Sequence, residues 1–182
     1  MDRVLACLRR LAASQDGHAT IEFVITFPAL IFILLSGIEL AMVSLNHSTL
    51  ERAVDMTVRD IRLGTGTMPE DADVNHENIK NTICDRAAFI PDCRENLRLE
   101  MVRMDPRNWT GLSNDVDCTD KSEDSLPVRN FRNGAENELM ILRVCAKIDP
   151  IFPTSGLGKS LKKDGAGQYA LVTTTAFVQE PE

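Results

Sequence analysis

The sequence predicts an α+β protein: a long N-terminal transmembrane helix continuing into a small domain with a short helix and an antiparallel sheet of about three strands. Three observations predict it. Phe23 to Leu45 reads FVITFPALIFILLSGIELAMVSL, with Glu39 its one charged residue. Leu50, Ala53 or Val54, Thr57 or Val58, and Ile61 then recur at three-to-four spacing, which is one face of a helix. Farther on, three segments rich in β-branched, aromatic and aliphatic residues have the length of strands.

The helix comes first. At about 1.5 Å per residue, the apolar run spans the roughly 30 Å of a bilayer's hydrocarbon core. A cleaved secretory signal is the rival reading, but such a segment has a shorter apolar core and a small-x-small cleavage site. Here the run is too long, no Ala-x-Ala follows it, and the helical pattern passes through Glu51-Arg52-Ala53 without a break. A retained anchor is the better reading. Arg3, Arg9 and Arg10 precede the span, and no Lys or Arg lies between Asn46 and Glu51 after it. The basic flank is expected to stay in the cytoplasm, with the C-terminal part across the membrane. Residues 1–17 are then a cytoplasmic leader, 18–66 the membrane helix with its extension, and 67–182 the translocated α+β domain.

Within the leader, Val4, Leu5, Leu8, Leu11 and Ala12 stand at helical spacing among arginines, a pattern suited either to the inner membrane surface or to an unstructured tail. Pro28 falls in the first turns of the span and is expected to kink or loosen it. Ser36, Gly37 and Ala41 are small enough for another helix to approach. Glu39 lies near the far end of the run, where an interfacial side chain reaching the headgroups is preferred over a helix-helix contact. Beyond the membrane, Arg52, Asp55, Arg59, Asp60 and Arg62 cover the side opposite the apolar stripe, and Gly64-Thr65-Gly66 ends the helix. The stripe is expected to pack against the chain's own domain.

Thr67 to Asn75 reads as an acidic linker around Pro69, and Asn78 to Phe89 as a short helix with Ile79, Ile83 and Ala87 on one face. The strands are expected at Leu97–Met104, Leu139–Ile148 and Tyr169–Val178, joined by long connections and packed on the helical extension. One sequence leaves their order open.

Charge and cysteines bound the function. A net charge of −7 makes a phosphate backbone an improbable partner, so no nucleic acid is expected. Cys7 stands alone in the leader, whereas Cys84, Cys93, Cys118 and Cys145 form an even set on the translocated side. Outside the cytosol such a set implies disulfides, with three possible pairings. Cys84 with Cys93, closing a short loop around Pro91, and Cys118 with Cys145, tying an acidic loop to a strand, are favoured. Four unpaired thiols would follow only from the inverted topology. No Cys-x-x-Cys or paired-His spacing supports zinc, and no metal or cofactor is expected.

At Gly17 the pattern changes. A Gly follows a basic leader, a Glu comes five positions later, then an aromatic, then the apolar helix. Gly17-His18-Ala19-Thr20-Ile21-Glu22-Phe23 resembles the processing site of type IV pilin-like proteins, and in particular the G-x-x-x-x-E-F site of the TadE-like pseudopilins of the Tad (tight adherence) machinery that builds Flp pili. The likeness runs on through Pro28, Gly37-Ile38-Glu39 and the helix from Asn46 to Leu63, so it covers the first third of the chain. It implies a prepilin peptidase that cuts after Gly17 and leaves a new α-amino group on His18. It also implies a bacterial inner-membrane location with a periplasmic domain, and other pilin or pseudopilin subunits, the Tad secretion machinery and membrane lipid as partners. Glycine suits a scissile position because it lets the chain leave the helix. Glu22 then lies just inside the apolar segment, where a carboxylate is costly and wants a counter-charge. The resemblance supplies one, the N-terminal amine of a neighbouring subunit, and makes Glu22 with Phe23 the docking residues. Hydration at the interface, helped by the positive helix end, is the alternative account of Glu22.

The remaining motifs resolve into decoys. Asn114-Asp115-Val116-Asp117-Cys118-Thr119-Asp120 starts like a calcium loop but lacks its Gly and terminal Glu. Gly158-Lys159-Ser160 ends like a phosphate loop, yet Pro153 stands where the first Gly belongs. Phe152 to Gly158 has no nucleophile-elbow spacing. His18, His47 and His76 are scattered, and none pairs with a nucleophile, so no enzyme is expected. Asn108-Trp109-Thr110 is a sequon of consequence only in a eukaryotic secretory route; Trp109 reads as a packing residue or a membrane-proximal contact rather than a ligand platform. Two readings remain: a processed pseudopilin-like assembly protein, or an uncleaved single-span protein whose periplasmic domain recruits a partner.

Overall fold

A computed structural model describes residues 18–63, 75–108, 111–113, 116–119, 131–132 and 134–180. The leader, Gly17, Gly64 to Gly66, the linker around Pro69, Trp109 and part of the acidic loop, including Asn114, Asp115 and Asp120, lie outside the described residues.

Helix α1, His18–Leu63, is a single rod of 46 residues, about 69 Å long at 1.5 Å per residue. It runs unbroken through Pro28. Its two halves do different work. From Leu50 onward the stripe is buried: Leu50 and Val54 are wholly enclosed, with Ala53, Thr57, Val58 and Ile61 beside them. Each large apolar side chain so enclosed contributes about 1.5–3 kcal/mol. Thr57 is tolerated there because its hydroxyl donates to the Ala53 carbonyl at 2.8 Å. The stripe therefore packs into its own domain, as its periodicity predicts.

Helix α2, His76–Arg86, begins where the Asn75 side chain accepts from the Asn78 amide at 2.9 Å. It starts two and stops three residues earlier than the sequence pattern suggests; it stops there because Ala87 already leaves the helical conformation and Ile90 turns back onto Ala87 ahead of Pro91. Ile79 and Ile83 face the core. Arg86 links α2 to α1 through Asp60 and through the Thr57 hydroxyl. The single turn α3, Cys93–Asn96, follows, joined to α2 by the Cys84–Cys93 disulfide.

Strands β1 (Leu97–Met104), β2 (Leu139–Ile148) and β3 (Tyr169–Val178) form one antiparallel sheet in the order β1-β2-β3. The register Leu99↔Val144↔Thr173 and Met101↔Leu142↔Thr175 gathers Leu97, Leu99, Met101, Met140, Leu142, Val144, Leu171 and Phe177 on the face toward the helices. The other face is not open to water at its centre. Glu100 pairs with Arg143, Arg98 with Asp117, and Cys145 is bonded to Cys118. The segment before β2 thus lies over this face, so the central strand β2 is covered on both sides and buried along nearly its whole length.

Two contacts give α1 and β3 a common direction. His47 Nε2 meets the Val172 carbonyl at 3.4 Å, and Gln179 Nε2 the Ile61 carbonyl at 3.5 Å. The steps between them match, about 21 Å along the helix and about 23 Å along the strand. Helix and strand run side by side. The β2–β3 connection therefore lies at the end of the sheet nearest the apolar half of α1.

Candidate functional site

Most of the apolar half of α1 is left bare by the described part of the domain. Ile21, Phe23, Val24, Ile25, Leu30, Phe32 and Ile33 are all exposed. No part of the most apolar 18-residue window is buried, and the helix is long and apolar enough to cross a membrane. In water this surface would be a severe liability; in lipid it is what a span requires.

Glu22 sits on this rod one turn inside its start. Its carbonyl accepts from the Thr26 hydroxyl at 2.8 Å, and its carboxylate is exposed with no ion-pair partner among the described residues. Phe23 is 57% exposed and stacks on Phe27 with ring centroids 4.8 Å apart. His18 is the first helical residue, and Gly17 lies outside the described part. The structure thus sets a carboxylate and an aromatic pair on an uncovered helix end, far from the folded domain. An uncovered acid here suits a cation brought by another molecule.

Glu39 behaves in the opposite way. The sequence suggests an interfacial side chain, but only 1% of Glu39 is exposed. Its carboxylate accepts from the Ile151 amide at 3.2 Å and the Phe152 amide at 2.9 Å. Amide donors offset the cost of enclosing the charge. The expected headgroup contact is replaced because the β2–β3 connection folds back across the helix. That fold needs close approach. A Cβ on Gly156, which has φ +51°, would stand 2.3 Å from Ser36 Oγ, and one on Gly158 would stand 2.4 Å from the Phe152 carbonyl oxygen. The small residue Ser36 therefore admits a loop of its own chain. Gly37 meets nothing within 4 Å of an added Cβ, and Ala41 stays exposed.

The same connection contains the short helix α4, Gly156–Ser160, which occupies the stretch that resembles a phosphate loop. Lys163 donates to the Pro153 and Gly158 carbonyls at 2.8 and 2.9 Å and pins the loop's two arms. Tyr169 begins β3 beneath it. Burial pushes its phenol above the ordinary value; a hydrogen bond with the Asn46 side chain opposes this and the Glu39 charge adds to it. In the calcium-like stretch, Asp117 is engaged by Arg98 at 3.3 Å and Cys118 by its disulfide, so both serve the fold.

Asp164 closes the connection. Its carboxylate takes Lys147 Nζ at 2.7 Å and the amides of Ala166 and Gln168 at 3.1 and 2.9 Å. Burial alone would raise its pKa, but the Lys147 bond and these amides together hold it below the usual 3.8. A depressed carboxylate stabilises the fold above its unfolded value and loses that contribution as pH falls through the folded one. The turn from Asp164 to Gln168 is therefore expected to keep its amide protection from neutrality down to about pH 4 and to open below it. Hydrogen exchange against pH checks this, and Asp164→Asn should abolish the acid step.

No curated protein and no solved structure gives a significant match to the chain. The part that is recognisable is the rod described above, together with the glycine that precedes it. Residues 17–59 match the family model described as TadE-like protein, and it is in this segment that the chain is similar to that family.

Proposed function

We propose that the chain is a minor pseudopilin-like membrane protein that serves assembly of a Flp/Tad-type pilus, cleaved after Gly17 by a prepilin peptidase and anchored in the inner membrane with its domain in the periplasm. The observation that carries this reading is the exposed Glu22 carboxylate on a helix end that its own domain leaves bare. Cleavage after Gly17 would give His18 an α-amine, and the amine of one subunit would neutralise Glu22 of the next. In lipid such a pair sets the register of two helices, because the mismatched arrangement leaves an acid unpaired. Phe23 and Phe27 add packing surface beside it. The role is one of assembly through helix docking rather than of catalysis.

N-terminal sequencing of the protein from native membranes tests the reading. A chain that begins at His18 is the expected result, and Gly17→Ala should retain the leader. Glu22→Ala should be processed normally yet give about tenfold less assembled product, the change that corresponds to losing roughly 1.4 kcal/mol of docking energy. A chain that keeps Met1 where prepilin peptidase is active overturns processing and favours an uncleaved partner-binding protein. Wild-type piliation with Glu22→Ala overturns the docking role.

A further inference from the structure

The loop held by Glu39 has a height above the membrane that the helix itself measures. Glu39 lies about 26 Å beyond Glu22 along α1 at 1.5 Å per residue, and a bilayer's hydrocarbon core is about 30 Å thick. If Glu22 marks one edge of the core, Glu39 falls at or just within the other edge. Whatever is fastened to Glu39 is fastened at the level of the lipid. What is fastened there is the backbone of Ile151 and Phe152.

The chemistry of this loop suits that level. Ile151 is 48% exposed, Phe152 is half-buried and Pro153 is exposed, so three apolar residues in a row stand at the loop's tip. Lys159 and Lys162 are exposed on the same connection, whereas Lys163 is occupied by the Pro153 and Gly158 carbonyls. Of its acids, Asp149 is met by the Gln168 side chain and Asp164 by Lys147. An apolar tip with exposed cations on the same connection has the composition of a segment that enters an anionic interface.

We propose that the Ile151–Phe152–Pro153 tip lies in the headgroup layer of the leaflet facing the domain, with Lys159 and Lys162 on anionic phospholipid. The domain then sits down on the membrane instead of swinging above it. Glu39 acts as the clasp: its carboxylate, which would otherwise need water at the lipid edge, is satisfied by the amides of the loop that shields it. The inference rests on α1 as a membrane span, and it concerns lipid, not a pilus partner.

Tryptophan reporters in the full chain test it, in a Trp109→Phe background that removes the chain's one tryptophan. Four single reporters are reconstituted into phosphatidylcholine–phosphatidylglycerol vesicles with brominated acyl chains: Ile151→Trp, Leu30→Trp in the span, Met56→Trp about 26 Å beyond Glu39 on α1, and Phe177→Trp in the core. The expected result is strong quenching at Leu30→Trp, quenching at Ile151→Trp by bromines near the headgroups, and none at Met56→Trp or Phe177→Trp. Lys159→Glu with Lys162→Glu should weaken the quenching at position 151 in mixed vesicles and leave it unchanged in pure phosphatidylcholine. Quenching at position 30 without quenching at 151 overturns the inference and leaves the span intact. No quenching at position 30 overturns the span and the inference with it. A blue-shifted but unquenched reporter at 151 means that protein covers the loop, which also overturns the inference.

Discussion

Arg143→Ala is expected to cost the domain about 3–5 kcal/mol, a large share of the roughly 5–15 kcal/mol that holds a domain folded. Arg143 and Glu100 are register partners on β2 and β1, with side chains only 9% and 5% exposed. Two guanidinium nitrogens reach one Glu100 oxygen at 2.6 and 2.7 Å, and a third donates to the Ser113 carbonyl at 2.7 Å. Truncation would strand a carboxylate under the covering segment and remove a donor from the Ser113 carbonyl. The cost is that of an uncompensated buried charge rather than the net worth of the pair. A second variant separates the two. Arg143→Met with Glu100→Leu removes both charges while keeping volume, and should be neutral or stabilising. Hydrogen exchange of the β2 amides in the detergent-solubilised full chain reads both. Equal losses in the two variants would mean that the pair itself, and not the stranded acid, carries the energy.

Much of the fold was legible because its signals are local. The three strands lie where β-branched and aliphatic runs are bounded by Asn, Asp, Pro and Gly, and the α1 stripe needs nothing beyond its own period. The uncovered Glu22 was legible too, since its surroundings are its sequence neighbours. What the sequence hid is long-range. Glu39 is held by amides 112 and 113 positions away, and those donors are backbone groups that leave no mark in side-chain pattern. The cover over Arg98, Glu100 and Arg143 is hidden too, because alternation tells which face a residue is on and not what later covers it. A signal did exist in retrospect. The central strand is apolar on both faces over Leu139 to Leu142, which implies a cover on the far side. Asn75, a capping residue ahead of Asn78, likewise marked the true start of α2.

Removing the Cys118–Cys145 bond is expected to open that cover, and to cost more than removing Cys84–Cys93. On chain entropy alone, a closed loop of 27 residues is worth about 3.5 kcal/mol and one of 9 about 2.5 kcal/mol. The surroundings widen the gap. Cys145 is fully buried on β2, between Arg98 of β1 and Val172 of β3 in the register. Cys118 follows Asp117, which meets Arg98, and precedes Thr119, whose hydroxyl donates to the Asn96 carbonyl at 3.1 Å. Once the bond is gone, only noncovalent ties such as these hold the segment, and its release would take Asp117 away from the buried Arg98. The Cys84–Cys93 bond has more support: α2 is kept on α1 by Arg86 and on the core by Ile79 and Ile83. Cys118→Ala with Cys145→Ala should therefore expose the β1 and β2 amides to exchange while the α1–α2 contact persists. Cys84→Ala with Cys93→Ala should mainly loosen α3 and the turn before it. Alkylation of the wild-type chain in unreduced native membranes provides the matching test: Cys118 and Cys145 should resist labelling until reductant is added. Ready labelling would put the domain in a reducing compartment and reverse the topology on which the periplasmic assignment stands.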